Sequence, residues 1–195
     1  TGIRFHHVED GVYDRGGSST NRVEAERVVD RYFDIKEDSG ESVGIVAFSK
    51  SQQRAIRDEF ERRDSLDELE DDGLESTFVK NLETVQGDER DVILLSVCYG
   101  PDEDGKLSMN FGPLNRDNGY KRLNVAVTRA RKRTEVFSTI RYNDIPDKKV
   151  NRKGLRHLKG YLEYAETKEL PTVESTPDTL EFDSDFERAV YDRLT

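Results

Sequence analysis

The sequence predicts an open, mostly parallel α/β sheet flanked by helices, with a helical extension on its C-terminal side. Three observations carry that expectation. The chain is only 33% hydrophobic and 37% charged, and its apolar residues concentrate in a few runs, chiefly 43–48, 91–99 and 123–140. Segments with helical periodicity lie between or after these runs, at 20–35, 49–63 and 151–166. Most links are short, and strands alternating with helices over short links build a parallel sheet.

In chain order, residues 3–8 (IRFHHV) alternate weakly and read as a short strand, followed by a turn rich in glycine and serine. Residues 20–35 predict a helix capped by Thr20, with Val28, Val29, Tyr32 and Phe33 as its apolar stripe. SVGIVAF (42–48) predicts a buried strand, and 49–63 an amphipathic helix with Ala55, Ile56 and Phe60 inward. The acidic stretch 64–75 reads as a solvated loop or helix end. Residues 78–86 and 91–99 predict two strands joined by GDER; the second is almost continuously apolar, as a central strand covered on both faces would be. Residues 100–118 are a long loop, 120–133 a basic helix, 134–140 a last strand and 151–166 a further helix. Residues 167–180 have the composition of a linker.

Length and composition bound the function. At 195 residues the chain suits one domain with an appendage, or two small ones. No apolar run approaches the roughly 20 residues that span a bilayer, so no membrane partner is expected. A single cysteine, Cys98, excludes an intrachain disulfide; with no signal-peptide pattern at the start, this favours a cytoplasmic setting. His6, His7 and His157 are too scattered to form a metal set, so no metal site is expected. A formal charge of −10 argues against indiscriminate nucleic-acid binding. The average hides opposite blocks: residues 58–75 carry ten acids against two arginines, whereas YKRLNVAVTRARKR (120–133) carries six cations and no acid.

That basic segment raises a chemical question. Read as one helix at about 100° per residue, it buries Leu123, Ala126, Val127 and Ala130 and sets Arg129 and Arg131 on opposite shoulders of the buried face. A guanidinium half-sunk in packing is costly unless an anion meets it. Either an internal salt bridge or a bound phosphate would serve, and the planar fork suits phosphate better than lysine does.

ETVQGDERDVILLS (83–96) followed by RLNVAVTRARKR (122–133) resembles motifs V and VI of superfamily 1 helicases, in the branch that includes the RNA-decay helicase and its DNA-processing relatives. Glu83, Gln86, Gly87, Glu89 and Asp91 stand at the places of T-V-D-x-F-Q-G-x-E-x-D. Leu123 to Ala126 and Thr128 to Arg131 stand at those of L-N-V-A-L-T-R-A-R. Val85 replaces an aromatic residue, Glu83 an aspartate and Val127 a leucine. VGIVAFSKSQQ (43–53) resembles the segment that precedes motif V, with Gln52 at its glutamine.

The resemblance covers roughly residues 1–145 and implies a second RecA-like motor domain, with 146–166 as a helical extension. It implies ATP and Mg2+ as cofactors, held mainly by a first RecA-like domain of the same protein. Arg129 would reach the γ-phosphate, while Gln86, Gly87, Glu89 and Arg131 would line the nucleotide cleft, Gln86 orienting its loop. Gln52, Asn81, Thr84 and Asn124 would touch nucleic acid, single-stranded DNA in preference to RNA. The cleft is expected at the C-terminal ends of the strands, where open α/β sheets generally hold ligands.

No G-x-x-x-x-G-K-[ST] loop occurs in the chain, so the segment alone is expected to be inactive. Residues 182–194 resemble the first helix of a restriction-endonuclease-like domain, so 181–195 is expected to begin a truncated C-terminal domain and the chain to be a fragment. The alternative functions are a nucleic-acid-binding adaptor that has lost catalysis and a scaffold that positions a nuclease.

Overall fold

The computed structural model describes residues 2–69, 76–149 and 152–169. Most of the expected linker and all of the expected start of a C-terminal domain lie outside these residues. Five strands form one sheet: β1 (Gly2–His7), β2 (Val43–Ala47), β3 (Phe78–Asn81), β4 (Arg90–Ser96) and β5 (Ala130–Ser138), in the order β1-β5-β4-β2-β3. Every pairing is parallel. This is the predicted RecA-like α/β class, with all pairs parallel rather than most.

The sheet is covered on both sides. Side chains alternate along β4, so Val92 and Leu94 join one apolar cluster and Ile93 and Leu95 the other. The first cluster takes in α1 (Arg22–Asp38) and α2 (Lys50–Arg62) through Val28, Val29, Tyr32, Ile56 and Phe60. The second takes in α3 (Gly119–Val127) and α4 (Lys153–Thr167) through Leu123, Ala126, Leu155, Leu158 and Leu162. β4 lies in the middle of the sheet, as its continuous apolar run predicted, and Cys98 beyond it is buried and free.

Several boundaries differ from expectation for local reasons. Asn21, not Thr20, caps α1, its side chain accepting from the Glu24 N–H. β3 ends at Asn81, because the Asn81 Oδ1 accepts from the Glu83 N–H and turns the chain out of the sheet. The long loop is ordered by a bridge between Pro101 and Leu107 and by a 3-10 turn at Gly112–Asn115, with Phe111 and Leu114 fully buried beneath.

The largest difference lies at the basic segment. It is not one helix: α3 stops at Val127, Thr128 caps it, and β5 begins at Ala130. Arg129 therefore occupies the turn between helix and strand, and Arg131 lies in the strand. Because α3 leads directly into the start of β5, it runs back along the sheet. Its first turn stands over the C-terminal edge and its last turn over the N-terminal edge.

α4 docks through a close approach of backbones. Gly154, in its first turn, lies so near Leu114 that an added methyl would fall on the Leu114 carbonyl. Backbone cannot retreat as a flexible side chain can. Gly154→Ala is expected to cost about 2 kcal/mol, within the usual range for overpacking, read as a lower urea midpoint with an unchanged m value.

Candidate nucleotide edge and its electrostatics

Two segments meet at the N-terminal edge of the sheet. Residues 82–89 start at the C-terminal end of β3 and return to the beginning of β4, so they cross from one edge of the sheet to the other. Gly87 stands in this stretch at φ +92°, which disfavours any side chain, with open space where a Cβ would point. Glu89 is the last residue before β4 and Arg129 the last before β5. The Arg90 N–H donates to the Arg129 carbonyl at 3.1 Å and locks the two segments together.

The predicted pair is adjacent. Arg129 Nη1 lies 3.8 Å from Glu89 Oε1, with the arginine side chain 22% exposed and the glutamate 55%. Arg129 Nε donates to the Val125 carbonyl at 3.0 Å and Nη2 to Thr128 Oγ1 at 3.3 Å. The root of the guanidinium is thus anchored on the end of α3 while its tip faces outward beside an exposed carboxylate. The expectation of a cleft at the strand C-termini is corrected here, since both residues stand at the N-terminal ends. β4 and β5 need parallel starts, and the two motif segments are what leads into them.

The neighbouring cations have other work. Arg131 Nε lies 3.3 Å from Asp91 Oδ1, and its Nη2 donates to Ser42 Oγ at 2.9 Å. These contacts tie β5 to the starts of β4 and β2, so Arg131 reads as a brace rather than as a phosphate ligand. Lys132 reaches both Glu41 and Asp91, at 3.3 and 3.4 Å. Arg133 donates to Glu41 at 2.5 Å and to Glu135 at 2.8 Å. Hydrogen bonding to Arg133, with Lys132 adding to it, holds the Glu41 carboxyl below its ordinary range.

The residues expected to contact nucleic acid do not form one surface. Gln52 is fully buried: its amide donates to the Asn21 carbonyl at 2.9 Å, and its Oε1 accepts from the Asn21 N–H at 2.8 Å. That amide also reaches Ser96, so Gln52 clamps the starts of α1 and α2 to the end of β4. Asn81 is also buried, holding Gln53 at 2.7 Å and its own turn. Thr84 is exposed at the C-terminal edge. Asn124 lies in the last turn of α3, nearer the opposite edge, with a buried Oδ1 that has no hydrogen-bond partner. Gln86, expected to orient its loop, is exposed.

Arg90 does that work, and the sequence reading missed it. It is buried over the Phe78 ring, 5.0 Å from the centroid, and donates to the Ser76 and Glu89 carbonyls at 2.7 Å each. A cation between Glu89 and Asp91 gives no sequence signal of burial; only the turn after β3 brings the carbonyls and ring around it. Elsewhere a concavity of about 330 Å³ opens between α1 and α2, lined by Arg22, Arg54 and Arg62 among others and by none of the motif residues. Among the described residues, no group of three or more His, Cys, Asp or Glu converges as a metal ion would require. No helix among them is long and apolar enough to cross a membrane.

A family model described as an AAA domain matches residues 2–140, which is most of the chain. The chain belongs to this AAA-domain family. The matched region of this AAA domain ends just past β5 and takes in both motif segments. Two curated relatives are each 34% identical over 170 residues, covering 83% of this chain: uncharacterised ATP-dependent helicases of Mycoplasma pneumoniae (the MG140 homolog) and Mycoplasma genitalium (MG140). The AAA domain is thus homologous to proteins named as ATP-dependent helicases, and it spans 15% of their length. A solved structure, the C-terminal domain of a possible DNA helicase from Lactobacillus plantarum, is similar over 60% of this chain and 66% of its own, at 14% identity and a TM-score of 0.40.

Proposed function

We propose that this AAA domain is the second, C-terminal motor domain of a cytoplasmic, ATP-dependent nucleic-acid helicase or translocase of superfamily 1. In this reading Arg129 enters a nucleotide site built mainly by a first RecA-like domain, where Mg2+ accompanies the ATP and Glu89 stands at the rim. The observation that carries the reading is the outward-facing pair of Arg129 and Glu89 at 3.8 Å, at one open edge of the sheet. An inactive adaptor has no need of that pair.

The chemistry follows from the geometry. Phosphoryl transfer spreads negative charge over the transferred group, and a preplaced guanidinium stabilises it. The pair with Glu89 is more than half exposed on the carboxylate side, and exposed pairs contribute at most about 1 kcal/mol. Arg129 can therefore exchange Glu89 for a phosphate at little cost. The anchors at Val125 and Thr128 hold the planar guanidinium at Nε and Nη2 and leave Nη1 to meet the phosphate.

The test is nucleic-acid-stimulated ATP turnover by the full-length protein. Stimulation by single-stranded DNA is expected; turnover indifferent to any nucleic acid would remove the motor reading. ATP added to the 195-residue chain alone is expected to leave its melting temperature nearly unchanged, because most phosphate ligands belong to the other domain.

A further inference from the structure

The opposite edge of the sheet carries a second basic surface that the motif residues do not account for. Its parts come from four places in the sequence: the start of α2, the turn after β3, the segment leading into α3, and the start of α4. Glu83 is shared by three cations, Arg116 at 3.3 Å, Arg122 at 3.7 Å and Lys50 at 3.8 Å. Arg152 donates to the Asn115 carbonyl, which places it beside Arg116. Lys153 Nζ lies 4.6 Å and Lys121 Nζ 6.0 Å from the centroid of the Tyr120 ring. Six cations thus lie along this edge, two at the half-exposed Tyr120 ring, which also packs on the His157 ring at 5.2 Å, three at Glu83 and Arg152 beside them, in a chain of net charge −10.

We propose that this surface is a single-stranded nucleic-acid platform, with Tyr120 as a base-stacking residue and Lys121, Lys153 and Arg116 as phosphate contacts. The inference rests on the motor reading and adds to it the part of the track that α3 and α4 supply. Magnitudes favour the exchange. An ammonium over a ring at an exposed site is held only weakly, whereas a base stacked on an aromatic side chain is held more strongly. A base can displace the lysines from Tyr120, and the displaced ammoniums are then available to the flanking phosphates of that nucleotide. Glu83 holds its three cations apart and leaves each with exposed surface, 68% for Lys50 and Arg116 and 37% for Arg122. α3 then joins two functions end to end, with the platform at its first turn and Arg129 just past its last.

The experiment is fluorescence anisotropy of the full-length protein with a labelled oligothymidylate and with an oligouridylate of the same length, across a salt series. Tyr120→Ala is expected to weaken binding about tenfold, and Tyr120→Phe to restore it. Lys121→Ala, at an exposed position that folding does not need, is expected to reduce the slope of log K against log salt by about 0.7, one single-strand phosphate. The same losses with both probes, or with whichever the protein prefers, support the platform. Wild-type affinity and slope in Tyr120→Ala and Lys121→Ala, while the parent protein binds normally, would overturn the platform and leave the motor reading standing. A parent protein that binds neither probe would overturn the nucleic-acid reading itself, and the platform with it.

Discussion

Replacing Arg129 by alanine in the full-length protein is expected to lower ATP turnover by about 10³-fold or more, the scale seen when a phosphate-directed arginine is removed from phosphoryl-transfer systems. ATP affinity should change by only a few-fold, because the proposed reading assigns the ground-state phosphates mainly to the other domain. Steady-state phosphate release and direct nucleotide binding separate the two quantities. A structural role would leave a different signature. Arg129 donates from Nε to Val125 and from Nη2 to Thr128, and losing such bonds costs about 1 kcal/mol each. That loss would appear in the melting temperature, not in a selective loss of turnover. Arg129→Lys keeps the charge but not the planar fork and should remain impaired. Turnover near wild type in Arg129→Ala would end the assignment.

The layers of the fold were legible because burial writes itself into apolar patterns. The run ending at Tyr99 demanded a strand covered on both faces, and β4 is that strand. The spacing of Ile56 and Phe60 placed α2 as observed. The break between α3 and β5 was not legible. Val125, Val127 and Ala130 satisfy a helical face and a strand equally well, and the cations at 131–133 look solvated until Glu41 and Asp91 are brought to them from other elements and the strand sets Glu135 on the same face as Arg133. Gln52 failed for a related reason. An amide early in a helix resembles a surface contact, and only the tertiary fold supplies the Asn21 backbone that consumes it. The adjacency of Glu89 and Arg129 followed from the motif resemblance, but its edge of the sheet depended on strand boundaries that composition does not encode.

Two buried carboxylates should give the stability of this domain opposite responses to pH in separate windows. Glu24, in the first turn of α1, is fully buried. Desolvation raises its pKa to about 7, offset only in part by Ser96 Oγ and the Cys98 N–H, each donating at 2.7 Å, and by weaker contact with Thr139. Its Oε2 has no partner of hydrogen-bonding geometry. The folded state therefore holds this proton more tightly than the unfolded chain, whose carboxyl titrates near 4.5. The resulting stabilisation is complete below that value and fades as pH rises toward 7, by about 3 kcal/mol at 1.36 kcal/mol per unit. Glu135 behaves inversely. Burial pushes its pKa up, but His6 at 2.8 Å, Arg31 at 2.8 and 3.0 Å and Arg133 at 2.8 Å outweigh that and hold it well below the carboxylate range. Its contribution is present above about pH 4.5 and is lost as pH falls further. Urea midpoints between pH 5 and 8 should then decline in the wild type and stay nearly level in Glu24→Gln, a neutral isostere that keeps the acceptor for Ser96 and Cys98. Parallel declines in the two proteins would show that Glu24 is not the titrating group, and a steeper decline in the variant would reverse the sign assigned to it.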